Sequence, residues 1–309
     1  MLHPPGILSM SSDAPDLPFD SPLVPAKLGK RDELRFNCHQ GISCFNACCR
    51  QADITLTPYD VVRLKKGLGI TSTEFLQQHT VPFEMDQHGM PGIKLRTEDE
   101  APVCLLVSDQ GCSVYEDRPT ACRYYPAGLM AMKESEATSD EAHYFLVRED
   151  HCHGHNESRS ISLEDYRKEQ GVVEYDELNR EWYQIILKKR SAGPAVGKPP
   201  EISFQLFFMA SYDIDRFRRF VLSEAFTKTY VLEEKALSLL KSSDADLMQF
   251  GFKLMKQVFF DEQTIAMVDQ AIEKRWDERK EIIEARHKAE VDRHLAKQEQ
   301  AKRDAVDEE

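Results

Sequence analysis

The stretch Cys38-His-Gln-Gly-Ile-Ser-Cys44-Phe-Asn-Ala-Cys48-Cys49 decides how this chain is interpreted, because it brings four cysteines together. A second group follows at Cys104, Cys112 and Cys122, and Cys152 stands between two histidines. These are all eight cysteines of a 309-residue chain, and none follows Cys152. Structural cysteines scattered through a core would not be clustered in this way, so the pattern indicates a site whose functional groups are cysteine thiols.

Composition excludes several classes of protein. Lys and Arg number 40 against 53 Asp and Glu, a net charge of −13, which argues against a nucleic-acid or anionic-membrane binder. A hydrophobic content of 41 % is enough to build a core. We find no apolar run long enough for a transmembrane helix and no secretory signal in residues 1–25. We therefore expect a cytoplasmic protein whose thiols are kept reduced.

The spacing of the cysteines favours an iron–sulfur cluster over a zinc finger. The two groups read C-x5-C-x3-C-C and C-x7-C-x9-C, without the short knuckle pairs of structural zinc sites. Thiolates supplied by several loops of mixed length are typical of iron–sulfur ligation. Adjacent Cys48 and Cys49 diverge in either an extended or a helical backbone. One of them could therefore serve one metal, and the other a second metal or the core.

Residues around the cysteines carry a resemblance to a known family. The motifs are Ile54–Thr57 with Asp60 and Arg63, and the segment Gly111–Pro126 with its Arg-Pro and Cys-Arg pairs. Over residues 34–155 the chain resembles the YkgJ-family cysteine-cluster proteins. The resemblance implies a zinc- or iron-chelating domain. In its cysteine core that family is similar to the flagellin lysine N-methylases, which are thought to hold an iron–sulfur cluster.

The resemblance also implies a set of metal ligands. An iron–sulfur cluster is the expected cofactor and zinc the alternative. This sequence departs from the family's usual C-x2-C-x2-C-C, which leaves open which four thiolates share a metal. It also leaves open whether there is one cluster with spare cysteines or two metal centres. The candidate ligands are Cys38, Cys44, Cys48, Cys49, Cys104, Cys112, Cys122 and Cys152.

Charged residues beside the cysteines have two interpretations each. Histidines could complete a mixed site, although polar loop histidines are common; they are His39, His151, His153 and His155. Arg50, Arg118 and Arg123 could neutralise a thiolate-rich cluster or pair with nearby acids such as Glu116 and Asp117.

The overall pattern predicts a mainly helical α+β protein. We expect a disordered Pro-rich arm over 1–33, a small cysteine-rich metal-binding domain with short strands over 34–159, a helical region over 160–260 and a long charged C-terminal helix over 261–309.

Local signals place individual elements within this organisation. Thr57, Thr71 and Ser162 each begin a capped helix, and Asp213–Tyr230 predicts one further helix. Alternation predicts strands at Asp53–Thr57, Gly92–Arg96, Gly111–Tyr115 and Tyr144–Val147.

Three functions remain open at this point. The chain could be an iron–sulfur or related metal-binding protein, a zinc-stabilised module whose helical half meets a protein partner, or a protein-modifying enzyme of the lysine N-methylase type acting on a protein substrate. No nucleotide-binding motif and no methyl-donor site is recognisable. We expect no nucleic-acid or membrane partner.

Overall fold

The computed structural model describes residues 23–86, 89–130, 143–191 and 201–270, together with a few helical positions between 284 and 295. Within these residues the chain is an α+β protein, as the sequence predicted. The helices are α1 (Pro58–Leu68), α2 (Ser72–His79), α3 (Thr120–Tyr124), α4 (Leu163–Glu169), α5 (Val172–Ser191), α6 (Glu201–Ser211), α7 (Ile214–Val221), α8 (Glu224–Thr227), α9 (Glu234–Ser242) and α10 (Asp244–Phe260).

The strands are short and pair only in antiparallel fashion among the residues described. They are β1 (Leu23–Leu28), β2 (Glu33–Arg35), β3 (Thr80–Glu84), β4 (Pro91–Leu95), β5 (Val107–Ser108), β6 (Gly111–Cys112), β7 (Ala127–Met130), β8 (His143–Val147) and β9 (Ser160–Ser162). One sheet has the order β1-β8-β7, and the pairs β2-β9, β3-β4 and β5-β6 form two-stranded ribbons. Ribbons of this size are marginal alone, so they depend on packing against helices.

The carboxylate of Asp60 joins α1 to the start of α3. Its Oδ2 accepts the Thr57 N–H at 2.8 Å, and the Thr57 hydroxyl accepts the Asp60 N–H at 3.3 Å, which completes the predicted capping box. Its Oδ1 accepts the N–H and the hydroxyl of Thr120, both at 2.7 Å. Asp60 is fully buried, and burial raises the pKa of its carboxyl while these hydrogen bonds oppose the rise. Because Cys122 lies on α3, Asp60 also determines where Cys122 stands.

One hydrophobic core spans both the cysteine-rich and the helical regions. Leu64 of α1 and Phe75 of α2 belong to the same buried cluster as Trp182 of α5, Phe217 of α7 and Phe252 of α10. A smaller cluster contains Phe36, Tyr124, Tyr144, Leu163 and Tyr166. The predicted regions 34–159 and 160–260 therefore share a core, and the helical region supports the loops that carry the cysteines.

Several predicted elements differ from those observed. Asp53–Thr57 forms only an isolated bridge, between Thr55 and Lys94, because α1 begins directly after Thr57. The strand predicted at Gly111–Tyr115 ends at Cys112, since Tyr115–Asp117 is a 3-10 turn. The single helix predicted over Asp213–Tyr230 is two helices, because Ser223 caps α8.

The predicted disordered arm and the predicted helical tail also differ from the structure, for the residues that it describes. The arm was predicted to be disordered to residue 33, but β1 pairs with β8 and β2 pairs with β9. The tail was predicted to be helical from residue 261, but Asp261 ends α10 in a left-handed conformation (φ 56°), and Met267 then bridges Tyr230. Residues 1–22 and most of 271–309 lie outside the described residues.

A membrane-crossing helix was not expected from the sequence. Among the helices that the structure describes, none combines the length and the apolar character needed to span a bilayer.

Replacing Asp60 tests its part in the fold. Asp60→Ala removes one of the two hydrogen bonds of the α1 capping box and leaves the Thr120 N–H and hydroxyl without their buried acceptor. We expect the free energy of unfolding in urea to fall by about 2–4 kcal/mol. Asp53→Ala is the matched control, because Asp53 pairs with Lys94 but is 74 % exposed; it should change stability by no more than about 0.5 kcal/mol. Equal effects of the two substitutions would contradict the assigned role of Asp60.

Candidate metal centre

The first cysteine group is held beside the second by two hydrogen bonds, one from a side chain and one between backbone groups. Cys48 and Cys49 lie on a 3-10 turn, Ala47–Arg50, which follows Asn46 in a left-handed conformation (φ 64°). The Asn46 side chain donates to the Ser108 carbonyl at 3.1 Å, and the Cys104 N–H donates to the Cys49 carbonyl at 2.8 Å. Segments far apart in sequence are thereby held side by side.

The second group is arranged around the β5-β6 hairpin. Cys112 pairs with Val107 in this hairpin, and Cys104 precedes it, in a bridge with Thr97. The main-chain N–H groups of Leu106 and Val114, each two residues beyond a cysteine, stabilise the thiolates of Cys104 and Cys112 respectively. Hydrogen bonds of this kind favour the anionic sulfur that metals bind.

Five thiols from these two groups form what we call the inner thiol set: Cys48, Cys49, Cys104, Cys112 and Cys122. The interaction between the adjacent Cys48 and Cys49 side chains lowers the pKa of Cys48 and raises the pKa of Cys49. The remaining three are close enough to Cys48 for their charges to interact, and Cys122 interacts with Cys104 and Cys112 as well. The fold therefore gathers thiols from three separate segments into one neighbourhood.

The other three cysteines form an outer thiol set of Cys38, Cys44 and Cys152. Among the other thiols, Cys38 interacts electrostatically most strongly with Cys48, and then with Cys44 and Cys152. The Cys44 sulfur accepts the His153 N–H at 3.2 Å. Cys48 thus lies between the two sets.

Burial opposes ionisation of most of these thiols. Burial raises the pKa of Cys38 to about 11, and it raises the pKa values of Cys104, Cys112 and Cys122. Cys48 is the exception: a hydrogen bond from Cys49 lowers its pKa to about 7. A metal binding here would have to displace protons from the other thiols, so its affinity would increase with pH.

All eight cysteines are free thiols. Within the residues that the structure describes, no three His, Cys, Asp or Glu side chains are arranged closely enough to hold a metal ion. The thiols are therefore neighbours that main-chain N–H groups stabilise, without a preformed coordination geometry among the residues described.

The three arginines beside the cysteines differ in role. Arg118 is buried, and its charge favours the thiolates of Cys38 and Cys112; it also stacks on Tyr115 and donates to Gln170 at 2.6 Å. Arg123 instead donates to the backbone carbonyls of residues 116, 118 and 170, so its role is structural. Arg50 is exposed and lies 3.8 Å from Asp109.

The histidines differ in how their rings are engaged, and the buried Nε2 of His151 has no hydrogen-bond partner. His39 lies 3.7 Å from Glu157 and His151 lies 3.6 Å from Glu149, while His155 Nε2 is 3.1 Å from the Val147 carbonyl oxygen. His153 stands apart, because its backbone binds the Cys44 sulfur and its Nδ1 lies 2.6 Å from the Ser43 hydroxyl.

Two polar residues at the site were not predicted from the sequence. Ser43 holds the His153 ring, and Glu149 lies beside Cys48, Tyr125 and His151. Ser43 directly precedes a cysteine and Glu149 lies in an acidic turn, so neither carries a sequence signal that separates it from ordinary loop residues.

A comparison with known protein families bears directly on this cysteine-rich segment. Residues 37–153 match the CxxCxxCC family. The model of this family is described as a "putative zinc- or iron-chelating domain". The matched segment contains all eight cysteines, and the match agrees with the cysteine-cluster resemblance drawn from the sequence. It supports metal binding by cysteines in this part of the chain.

Two further comparisons were negative. No curated protein and no solved structure gave a significant match to this chain.

Alkylation of the metal-free, reduced protein tests the thiol electrostatics. Cys38 and Cys48 are both exposed, but only Cys48 has a lowered pKa. At a pH between about 7 and about 11, Cys48 is ionised and Cys38 is protonated. Since the thiolate is the nucleophile, limiting iodoacetamide should label Cys48 first. Peptide mass spectrometry would measure the two rates, and equal labelling would contradict the difference in pKa.

Proposed function

We propose that this protein binds an iron–sulfur cluster through thiolates of the inner thiol set. The observation that carries the proposal is that Cys48, Cys49, Cys104, Cys112 and Cys122 come from three segments of the chain and share one neighbourhood. The family match supports a zinc- or iron-binding role for this region. Iron–sulfur clusters are commonly held by four cysteine thiolates, which five neighbouring thiols can supply.

The surroundings of these thiols fit a centre that carries negative charge. Four thiolates bring more negative charge than the cluster core offsets, so nearby donors and cations stabilise the assembly. The amides of Leu106 and Val114 donate toward two of the sulfurs. The buried Arg118 guanidinium supplies a cation close to Cys112. When bound, such a cluster supplies electron-transfer chemistry.

The inner thiol set also depends on rigid supports. Cys104 and Cys112 pack against the main hydrophobic core, and Cys122 is positioned through Asp60 and Thr120. Metal binding would in turn stabilise the loops, because ligands that come together only in the folded chain couple binding to folding.

A zinc-stabilised interaction module is the second candidate function. It is favoured by the description of the matched family, which names zinc beside iron. Zinc would give a colourless, redox-inactive protein, and its role would be to hold the loops of the cysteine-rich region for a protein partner. The lysine N-methylase interpretation has no support among the residues described above, and we do not propose it.

Metal analysis separates the two candidates. Anaerobically prepared full-length protein should contain iron and acid-labile sulfide and absorb broadly near about 400 nm. A colourless protein with stoichiometric zinc and no sulfide would overturn the iron–sulfur proposal and favour the module.

Two serine variants test the ligand assignment. Cys104→Ser and Cys122→Ser should each lose most of the iron and sulfide, because each removes a member of the inner thiol set. Cys38→Ser is the matched control, since Cys38 lies outside that set, and it should keep both. Circular dichroism of each variant would check that the helices remain folded. Iron and sulfide retained in both inner variants would contradict the assignment.

A further inference from the structure

We propose that Arg118, held in place by Gln170, supplies the counter-charge of the centre at the inner thiol set and so sets the reduction potential of a cluster bound there. The inference rests on the proposed function, because it concerns the same centre. It adds one residue that acts on the centre by its charge and one that positions this charge. The description of the matched family assigns neither of them.

The guanidinium of Arg118 is a buried cation without a carboxylate partner among the residues that the structure describes. The residue is only 8 % exposed. Its Nη1 donates to the Tyr115 carbonyl at 2.8 Å and its Nη2 to the Gln170 side-chain oxygen at 2.6 Å, and both acceptors are neutral. The neighbouring Asp117 carboxylate instead lies 2.7 Å from Arg63. Because an arginine keeps its charge in proteins, a buried one needs an anion nearby.

The thiolates of the centre can provide that anion. Burial raises the pKa values of Cys112 and Cys38, and the charge of Arg118 opposes the rise in both. The path of the chain agrees with this placement, because Arg118 bonds to Tyr115, three residues after Cys112. Metal binding converts thiols to thiolates, so a bound centre brings the negative charge that the guanidinium requires.

Gln170 fixes the position of this charge. Its N–H donates to the Tyr166 carbonyl at 2.9 Å, at the end of α4, and its own carbonyl accepts Arg123 Nη1 at 2.7 Å. With the backbone held on both sides, the side-chain oxygen is placed to accept from Arg118. The guanidinium also stacks on the Tyr115 ring, 4.0 Å from its centroid. A residue of the helical region thus controls a charge beside the cysteines.

The burial of Arg118 separates it from the other arginine next to the inner thiol set. A cation beside a thiolate cluster favours the reduced state, because reduction adds negative charge to the centre. Solvent screens an exposed charge more than a buried one. Arg50 directly follows Cys49, but its side chain is 57 % exposed. Arg118 should therefore raise the reduction potential, and Arg50 should affect it little.

Redox titration of the full-length, cluster-loaded protein tests this inference. Arg118→Gln should shift the reduction potential to a more negative value, and Arg118→Lys, which keeps the charge, should retain most of the wild-type potential. Arg50→Gln is the matched control, because it removes the same charge at an exposed position, and it should leave the potential nearly unchanged.

Gln170→Glu is the sharper variant, and it also serves if Arg118→Gln does not fold. It keeps the size of the side chain and places a carboxylate where the amide oxygen accepts from Arg118. The hydrogen bond becomes stronger, but the guanidinium charge is neutralised. We therefore expect a more negative potential without a loss of stability in urea, a combination that a purely structural role of Gln170 would not give.

Two results would overturn the inference: an unchanged potential in Gln170→Glu or in folded Arg118→Gln, or an equal shift in Arg50→Gln. If the protein holds zinc without iron or sulfide, the iron–sulfur proposal fails and Zn²⁺ affinity replaces the potential as the measurement. Arg118→Gln should then bind Zn²⁺ roughly tenfold more weakly than the wild type, and Arg50→Gln should bind it as the wild type does. Equal affinities in the two variants would overturn the role of Arg118 as well.

Discussion

The buried carboxylate of Asp60 is the interaction on which the arrangement of this protein depends. One oxygen closes the capping box of α1, and the other binds both polar groups of Thr120 at the start of α3. A buried carboxylate that lost these donors would be strongly unfavourable, so α1 and α3 are held in one relative position. Since α1 packs into the main core and α3 carries Cys122, the site is positioned by the same contact that orders the helices.

The cysteine-bearing loops need this external support because they have little structure of their own. Their strands are two to five residues long, and their turns bury few apolar side chains. The helices α5, α6, α7 and α10 supply the large buried side chains against which α1, α2 and β4 pack. The helical half of the chain therefore acts as a scaffold for the cysteine-rich half, and a bound metal would add to a support that already exists.

The thiols illustrate opposing demands within one site. Burial beside apolar side chains raises the pKa of most of them, which stabilises the protonated form. The Leu106 and Val114 amides and the Arg118 guanidinium act in the other direction, toward the thiolate. A site with this balance keeps its sulfurs protonated until a metal replaces the protons, and it then offers donors that stabilise the resulting charge.

The local features follow from the sequence alone: the capped starts of α1, α2 and α4, the α+β class, and a cysteine-rich segment that matches a family described as zinc- or iron-chelating. These depend on residues near one another in the chain, where capping and spacing act directly. Other features are visible only in the folded chain: Asp60 reaches Thr120, Arg118 and not Arg123 faces the thiols, and particular cysteines become neighbours. The folded chain also shows that Asp53–Thr57 is not a strand and that Leu23–Leu28 is one. Such outcomes depend on contacts between distant segments, which periodicity and spacing along the chain do not encode.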